Sequence, residues 1–531
     1  MAVAAGVQCP VAAAEALCEG LAAQHHVIDD IGLTVWPDGT ASGDYRFQHA
    51  LYQQVLHERL GSARRALLHR RIGARLKAGY GRRAGELAAQ LAVHFECGGE
   101  TSQAVHYWQQ LGETAARRHA HHEAIAALSK GLALLAMLPE SSERTQQELA
   151  LQLPLGELLM AAKGMAAPDA GEAYTRARVL CDQLGETPQS FRVLQGLYRF
   201  HEAQARLSTA AALAQQLFDL ATRQRDMGLM WEGHSALGSV ALFHGDLVTA
   251  RVHLEESLRL YDTWQPAPPT FAGGLDPRVQ ILVWLALVLW GLGYADQAQR
   301  RSQEALALAQ QGGHAPTQVY AELFAAVLSQ CQRDVTATHV HADTVIAVAA
   351  EQGLVHRGGH GGLLRGWALA MQGDAVAGVA QIRQGITVSQ GEGLNLFCPY
   401  FLALLAEAYS LAGQPDTGLQ VLAEALTLVV ETEERWWEAE LHRLQGALWL
   451  QLPIADVRQA EACFQQALDL ARCQQAKALE LRAALSLSRL WQHQGQRQAA
   501  RALLAPIYHW FTEGFDRPDL QEARALLDEC A

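Results

Sequence analysis

Ala241-Leu242-Phe243-His244-Gly245-Asp246-Leu247-Val248-Thr249-Ala250-Arg251-Val252-His253-Leu254-Glu255-Glu256-Ser257 decides the fold of this chain. An apolar helix stops at Gly245, and a second begins a few residues later with Ala250 and Ser257 seven apart on one face. The arrangement recurs. Gly293, Gly373, Gly413 and Gly495 stand where Gly245 does. The small residues follow at Ala298 and Ala305, Gly378 and Gly385, and Gly418 and Ala425. With Arg333 and Ile454 filling the two gaps, the intervals are 48, 40, 40, 40, 41 and 41 residues. A fixed period of that size predicts stacked helix pairs, each burying its apolar face only against its neighbours. Small residues seven apart let the partner helix approach closely.

The 531 residues carry 50% apolar side chains and are rich in Ala and Leu, strong helix formers. A net charge of -13 argues against general affinity for nucleic acid or anionic membrane, both of which need a basic surface. Nine cysteines stand singly, with no CxxC, as expected of reduced thiols in a cytoplasmic protein. No basic flank precedes a long apolar core at the N-terminus, so no signal peptide is read. The most apolar run, Ile281 to Trp290, is about half of what a membrane span needs and reads as a buried helix.

Residues 1–48 differ from the rest. An Ala-rich helix (Ala12 to Gln24), an apolar stretch at Val27–Ile31, a turn at Trp36-Pro37-Asp38-Gly39-Thr40 and Tyr45-Arg46-Phe47 read as a partial winged-helix element. Residues 49–83 read as a basic connector of two amphipathic helices, and 84–531 as the repeat solenoid. The expected fold is all-α, a right-handed solenoid of helical hairpins. Two stretches are expected to break it: Gln265 to Pro277, rich in Pro and Gly, and Gly358 to Gly362, which interrupts the first helix of a pair.

The spacing resembles that of tetratricopeptide repeats. The wording resembles something narrower. It is carried by Tyr45-Arg46-Phe47-Gln48-His49-Ala50-Leu51-Tyr52, Leu68-His69-Arg70-Arg71-Ile72-Gly73, Trp437-Glu438-Ala439-Glu440-Leu441-His442-Arg443-Leu444 and Ala505-Pro506-Ile507-Tyr508. These strings are similar to the C-terminal repeat region of bacterial multidomain AAA/STAND-type ATPase signalling proteins, often fused to a class III adenylate/guanylate cyclase domain. The resemblance implies a non-catalytic arm that binds a protein or small effector and regulates an ATPase or cyclase module, upstream in the same protein or in trans. It also leaves open a part in a cyclase or ATP-binding enzyme, or the arm of a STAND-type transcription regulator. No G-x-x-x-x-G-K-[S/T] occurs, so no backbone nest for phosphates is read and no cofactor is expected. The chain is expected to be a truncated or separately encoded C-terminal arm.

Polar positions on the first helix of each pair are the candidate groove: Arg199, His201, His234, Glu322, Arg365, Glu407, Glu440 and Arg443. Arg64, Arg65, Arg70, Arg71 and Arg75 fall in a segment with no acidic residue, a candidate docking stripe for an acidic surface and less so for phosphates. His119, His121 and His122 crowd one turn, with His119 and His122 spaced for one helical face. They read as a solvated helix start, and no metal site is assigned. Tryptophans at helical spacing, Trp284, Trp290, Trp367, Trp436, Trp437 and Trp449, are expected in the core.

Overall fold

The structure, a computed structural model, describes residues 19–20, 22–23, 28–49, 55, 59–185, 187–264, 274–353, 355–391 and 393–530. Most of the expected helix Ala12–Gln24, most of residues 49–60 and most of the Gln265–Pro277 loop lie outside them. Two compact units divide the chain: Met1–Ala162 with Glu172–Thr187, and Lys163–Gly171 with Pro188–Ala531.

The first unit opens with an antiparallel hairpin of β1 (Ile28–Val35) and β2 (Ala41–Phe47). Its turn closes because the Asp38 carboxylate accepts from the backbone N–H of Thr40 and from its hydroxyl, while Gly39 supplies a φ of +82°. One basic helix follows, α1 (Ser62–Tyr80), then a 3-10 segment, Gly81–Leu87. Next come α2 (Ala88–Cys97), α3 (Thr101–Arg117), α4 (His121–Leu135), α5 (Ser142–Lys163) and α6 (Pro168–Leu184). His119 is not helical. It takes a φ of +58° in the turn before α4, so it shares no helical face with His122.

In the second unit helices alternate in pairs: α7 (Ser190–Ala203) with α8 (Leu207–Gln224), α9 (Met227–Phe243) with α10 (Leu247–Trp264), α11 (Pro277–Gly291) with α12 (Ala295–Gly312), and α13 (Ala315–Cys331) with α14 (Val335–Glu351). Then come α15 (Val355–Met371) with α16 (Ala375–Gly391), α17 (Cys398–Leu411) with α18 (Pro415–Thr432), α19 (Glu438–Trp449) with α20 (Val457–Cys473), α21 (Lys477–His493) with α22 (Arg497–Tyr508), and last α23 (Pro518–Glu529). No helix among the described residues is long and apolar enough to cross a membrane.

Five successive first helices, α9, α11, α13, α15 and α17, end alike. Asp246 N–H bonds Ala241 O, Tyr294 bonds Leu289, Asp334 bonds Ser329, Asp374 bonds Leu369 and Gln414 bonds Tyr409, all at 2.8–3.0 Å with the residue before at positive φ. This six-to-one bond is the Schellman stop, which glycine reaches without strain. Arg333 takes it at φ +59° and Ala205 at +56°, so the motif outlasts the glycine that marks it. Ile454 does not; it lies 89% exposed in a longer connection before α20.

The small positions that follow are buried against the first helix of the pair. A Cβ on Gly378 would sit 2.6 Å from the Gly366 carbonyl oxygen, so backbone meets backbone there. Gly358 to Gly362 do not break their helix. α15 runs through them, packed on α14 and α16: a Cβ on Gly361 would meet Val345, and one on Gly359 would meet Val388. Packing overrides the weak intrinsic preference of the glycines.

Successive turns of this unit stack with an offset of five pairs. The carbonyl of Ala203, ending α7, accepts from the N–H groups of Asn395 and Leu396 before α17, at 3.0 and 3.2 Å. One pair on, the carbonyl of Phe243 accepts from Arg435 and Trp436 before α19, at 2.7 and 3.2 Å. Another pair on, the Glu513 carboxylate accepts from the first N–H groups of α12, Asp296 and Gln297, at 3.0 and 3.1 Å. Aromatic rings fill the space between turns. Phe397 stands 5.3 Å from Phe243, 6.0 Å from Trp284, 5.8 Å from Phe324 and 5.5 Å from Trp436, centroid to centroid. α11, apolar all round, is buried all round for this reason. Trp284, Trp290, Trp367, Trp436 and Trp437 are all buried, as expected of core positions, and Trp449 is half-buried.

Candidate functional site

Where the fourth pair-to-pair contact would follow, the interior turns polar. Arg443 and Glu440, one turn apart on α19, form a two-point pair: Nη2 and Nε of Arg443 donate to the two carboxylate oxygens at 2.8 and 3.0 Å. Glu440 also faces Arg482 of α21 at 3.6 Å, and Arg482 pairs with Asp519 of α23 at 2.8 Å. Asp519 meets Arg333 at 3.1 Å, Arg333 meets Glu522 at 3.0 Å, and Glu522 meets Arg489 at 2.7 Å. The result is an alternating chain with an arginine at each end. Arg482 is 6% exposed and Glu440 7%; Arg489, at 48%, reaches solvent.

Burial pushes the Glu440 carboxyl up, yet Arg443 and Arg482 outweigh it and leave its pKa below the usual range. Asp519 follows the same logic, with Arg482 and Arg333 outweighing burial. The arginines are held charged by the same partners, against their own desolvation. Buried charges of this kind stay ionised only because each has a partner.

The chain borders a cavity of about 120 Å³. Glu407 of α17 faces the same space. One of its oxygens accepts from the Trp367 indole at 2.7 Å, and among the described residues no cation pairs with it. Ser486 lines the cavity too, its hydroxyl 3.5 Å from Arg443 Nη1 and donating to the Arg482 carbonyl at 3.1 Å.

Of the groove residues expected from sequence, Glu407, Glu440 and Arg443 line this cavity together. Glu322 instead pairs with His341 at 2.7 Å, and Arg365 reaches Gln381 at 3.3 Å and Asp343 at 3.5 Å. Arg199, His201 and His234 belong to the first two pairs and do not line it. Arg199 lies near the buried Glu202 and the half-buried Glu232, whose carboxyls desolvation pushes up, Glu232 to about 7. His201 keeps a buried Nδ1 without a hydrogen-bond partner. His234 Nδ1 stands 2.9 Å from His253 Nδ1, and burial with the neighbouring imidazole lowers its pKa.

Arg333, Arg482, Arg489, Asp519 and Glu522 were not among the expected residues. A signal for Arg482 was present: it lies one repeat after Arg443, a charge set beside Leu481, Ala483 and Leu485. In the first unit, the basic stripe of α1 is already partly engaged. Arg70 pairs with Glu100 at 2.8 Å, and Arg75 pairs with Asp38 at 2.8 Å while lying 4.4 Å over the Trp36 ring. Arg64 and Arg71 are exposed and Arg65 is half-buried. No group of three or more His, Cys, Asp or Glu placed to hold a metal occurs among the described residues.

No family model matches the chain. An uncharacterized protein of Rhizobium meliloti (strain 1021) is 24% identical over 450 residues, which cover 84% of this chain and 43% of that protein. The chain thus spans less than half the length of this relative. Among solved structures, a Rap protein complexed with Competence and Sporulation Factor covers 70% of this chain and 99% of its own, at 13% identity and a TM-score of 0.46. Cut9 of the APC/C hetero-tetramer Cut9-Hcn1 covers 91% and 94%, at 12% identity and 0.39. Human IFIT1, as a dimer with m7Gppp-AAAA, covers 80% and 89%, at 16% and 0.41. The fold is tetratricopeptide-like. At these identities and TM-scores nothing about ligand or partner passes from those proteins to this chain.

Proposed function

We propose that the chain is a non-catalytic repeat arm that binds a protein or small effector and biases an ATPase or nucleotide cyclase module, in the same protein or in trans. The observation that carries the reading is the charged cavity. Its walls come from α13, α15, α17, α19, α21 and α23, with residues as far apart as Gln330 and Glu522 that meet only because turns of the second unit stack. A ligand that prefers one spacing of those turns shifts the unit between spacings, and an attached module reads the shift. The cavity is far below the ~300 Å³ at which pockets for larger ligands begin, which speaks against a nucleotide as its occupant. The resemblance to ATPase and cyclase signalling proteins supplies the identity of the module, and the relative's remaining length is where such a module would be sought.

The test measures ATP hydrolysis and cyclic-nucleotide formation. The purified chain should hydrolyse no ATP and cyclise none, and it should change the turnover of the ATPase or cyclase encoded with it. Hydrolysis by the chain alone, or a module indifferent to its presence, overturns the reading.

A further inference from the structure

The geometry points to a small zwitterion, of the free amino acid class, as the ligand of the polar cavity. The inference rests on that cavity being the effector site of the arm. The alternating chain holds four arginines and only three carboxylates, so it carries one surplus positive charge. The surplus falls at the two ends. Arg443 and Arg489 each contact a single carboxylate within the chain, whereas Arg333 and Arg482 each contact two.

Both end arginines border the cavity, and so does Ser486, whose hydroxyl lies 3.5 Å from Arg443 and which is one helical turn from Arg489. A carboxylate seated there accepts from two guanidinium groups without displacing any ion pair already made; the Ser486 hydroxyl, which donates to the Arg482 carbonyl at 3.1 Å, joins only if it turns from that bond. Across the same space Glu407 offers a carboxylate that has an indole donor but no cation. It lies close enough to Arg443 to raise the pKa of that guanidinium. An ammonium group is its missing partner.

The two halves select together. A simple anion satisfies the arginines and leaves Glu407 facing it, like charge to like. A simple cation satisfies Glu407 and meets the arginine ends. A zwitterion matches both, and a desolvated charge is favourable only when matched. Size agrees with the class: about 120 Å³ suits a ligand of a few heavy atoms. Among the described residues, the Trp367 ring and Leu485 are the apolar lining for a short side chain.

Calorimetric titration of the purified chain tests this with glycine, L-alanine and L-aspartate as probes and with acetate and ethylammonium as single-charge controls. At least one zwitterion should bind, with both controls at least tenfold weaker. Glu407→Gln keeps an acceptor for Trp367 and should weaken that zwitterion at least tenfold. Arg489→Gln should do the same, and it lies far enough into solvent to leave the fold intact. Ser486→Asp places a carboxylate in the anion position and should abolish binding while the thermal midpoint holds or rises. No heat with any of the three zwitterions, acetate binding as tightly as they do, or unchanged affinity in Glu407→Gln or Ser486→Asp would each overturn the inference. A chain that binds no zwitterion yet alters the module's turnover sinks this inference alone. One that binds a zwitterion and leaves turnover unmoved sinks the proposed function instead.

Discussion

Arg482 and Asp519 pair at 2.8 Å where the two side chains are 6% and 14% exposed, and the same guanidinium donates to the carbonyl of Cys331, 151 residues away. Removing one member of a buried pair leaves the other charged and alone. Arg482→Met is therefore expected to cost about 3–5 kcal/mol in a urea titration. The double variant Arg482→Met, Asp519→Leu should recover part of that loss, because an apolar pair carries no stranded charge. A double variant no more stable than the single would show that the ion pair is not what Arg482 contributes.

The Glu513 carboxylate caps the first turn of α12 from more than two hundred residues away. Glu513→Ala should lower stability by about 1 kcal/mol, the usual worth of a cap. Hydrogen exchange should quicken at Asp296 and Gln297. Unchanged exchange at those two amides would refute the cap.

Glu434 is fully buried. Its carboxylate accepts from the N–H of Phe397 and from the Trp436 indole, and burial raises its pKa to about 8. Its pKa in the unfolded chain is near 4.5. Below that value both states hold the proton. Between about 4.5 and 8 only the folded state holds it, so the stability Glu434 contributes falls as pH rises through this window. Glu434→Gln cannot titrate and should flatten that slope. Equal slopes in denaturation curves of the two proteins from pH 5 to 8 would contradict the assignment.

Two glycines in one helical pair should respond oppositely to alanine. Gly362 lies within α15 with nothing near its missing Cβ, so Gly362→Ala should stabilise by about 1 kcal/mol. At Gly378 the new methyl meets the Gly366 carbonyl, and Gly378→Ala should destabilise by about 1–3 kcal/mol. Thermal midpoints moving the same way would deny the close approach of the two backbones.

In the first unit the Arg75 guanidinium, first of all by its hydrogen bond, holds the Asp38 carboxyl down at about 2. Arg75→Ala should return that pKa toward 3.8, as followed by NMR titration. An Asp38 that still titrates near 2 would mean Thr40 alone holds it.

The helix pairs were legible because their signal is local: a stop at Gly245 or Gly373, and small residues at the close crossing. The same locality misled at Gly358 to Gly362, where composition says break and the surrounding Val345 and Val388 hold a helix. His119 looked like one residue of a helix and proved to be the turn before it. The cavity was half legible. Glu407, Glu440 and Arg443 could be picked as polar positions on first helices, but nothing in the spacing says that Asp519 returns to meet Arg333. That meeting depends on how many pairs complete a turn, a number set by the summed small rotations of every crossing and written in no single residue.

The five-pair offset has a consequence in time. The carbonyl of Ala203 is made 192 residues before the N–H of Asn395 that will bond it. At synthesis rates of about 5–20 residues per second, the first turn waits on the order of 10–40 s for its second. During that wait the ring-lined surface around Phe243 and Trp284 faces water or a chaperone. A ribosome paused before codon 395 would therefore hold an arm that has formed its helices and still lacks an interior.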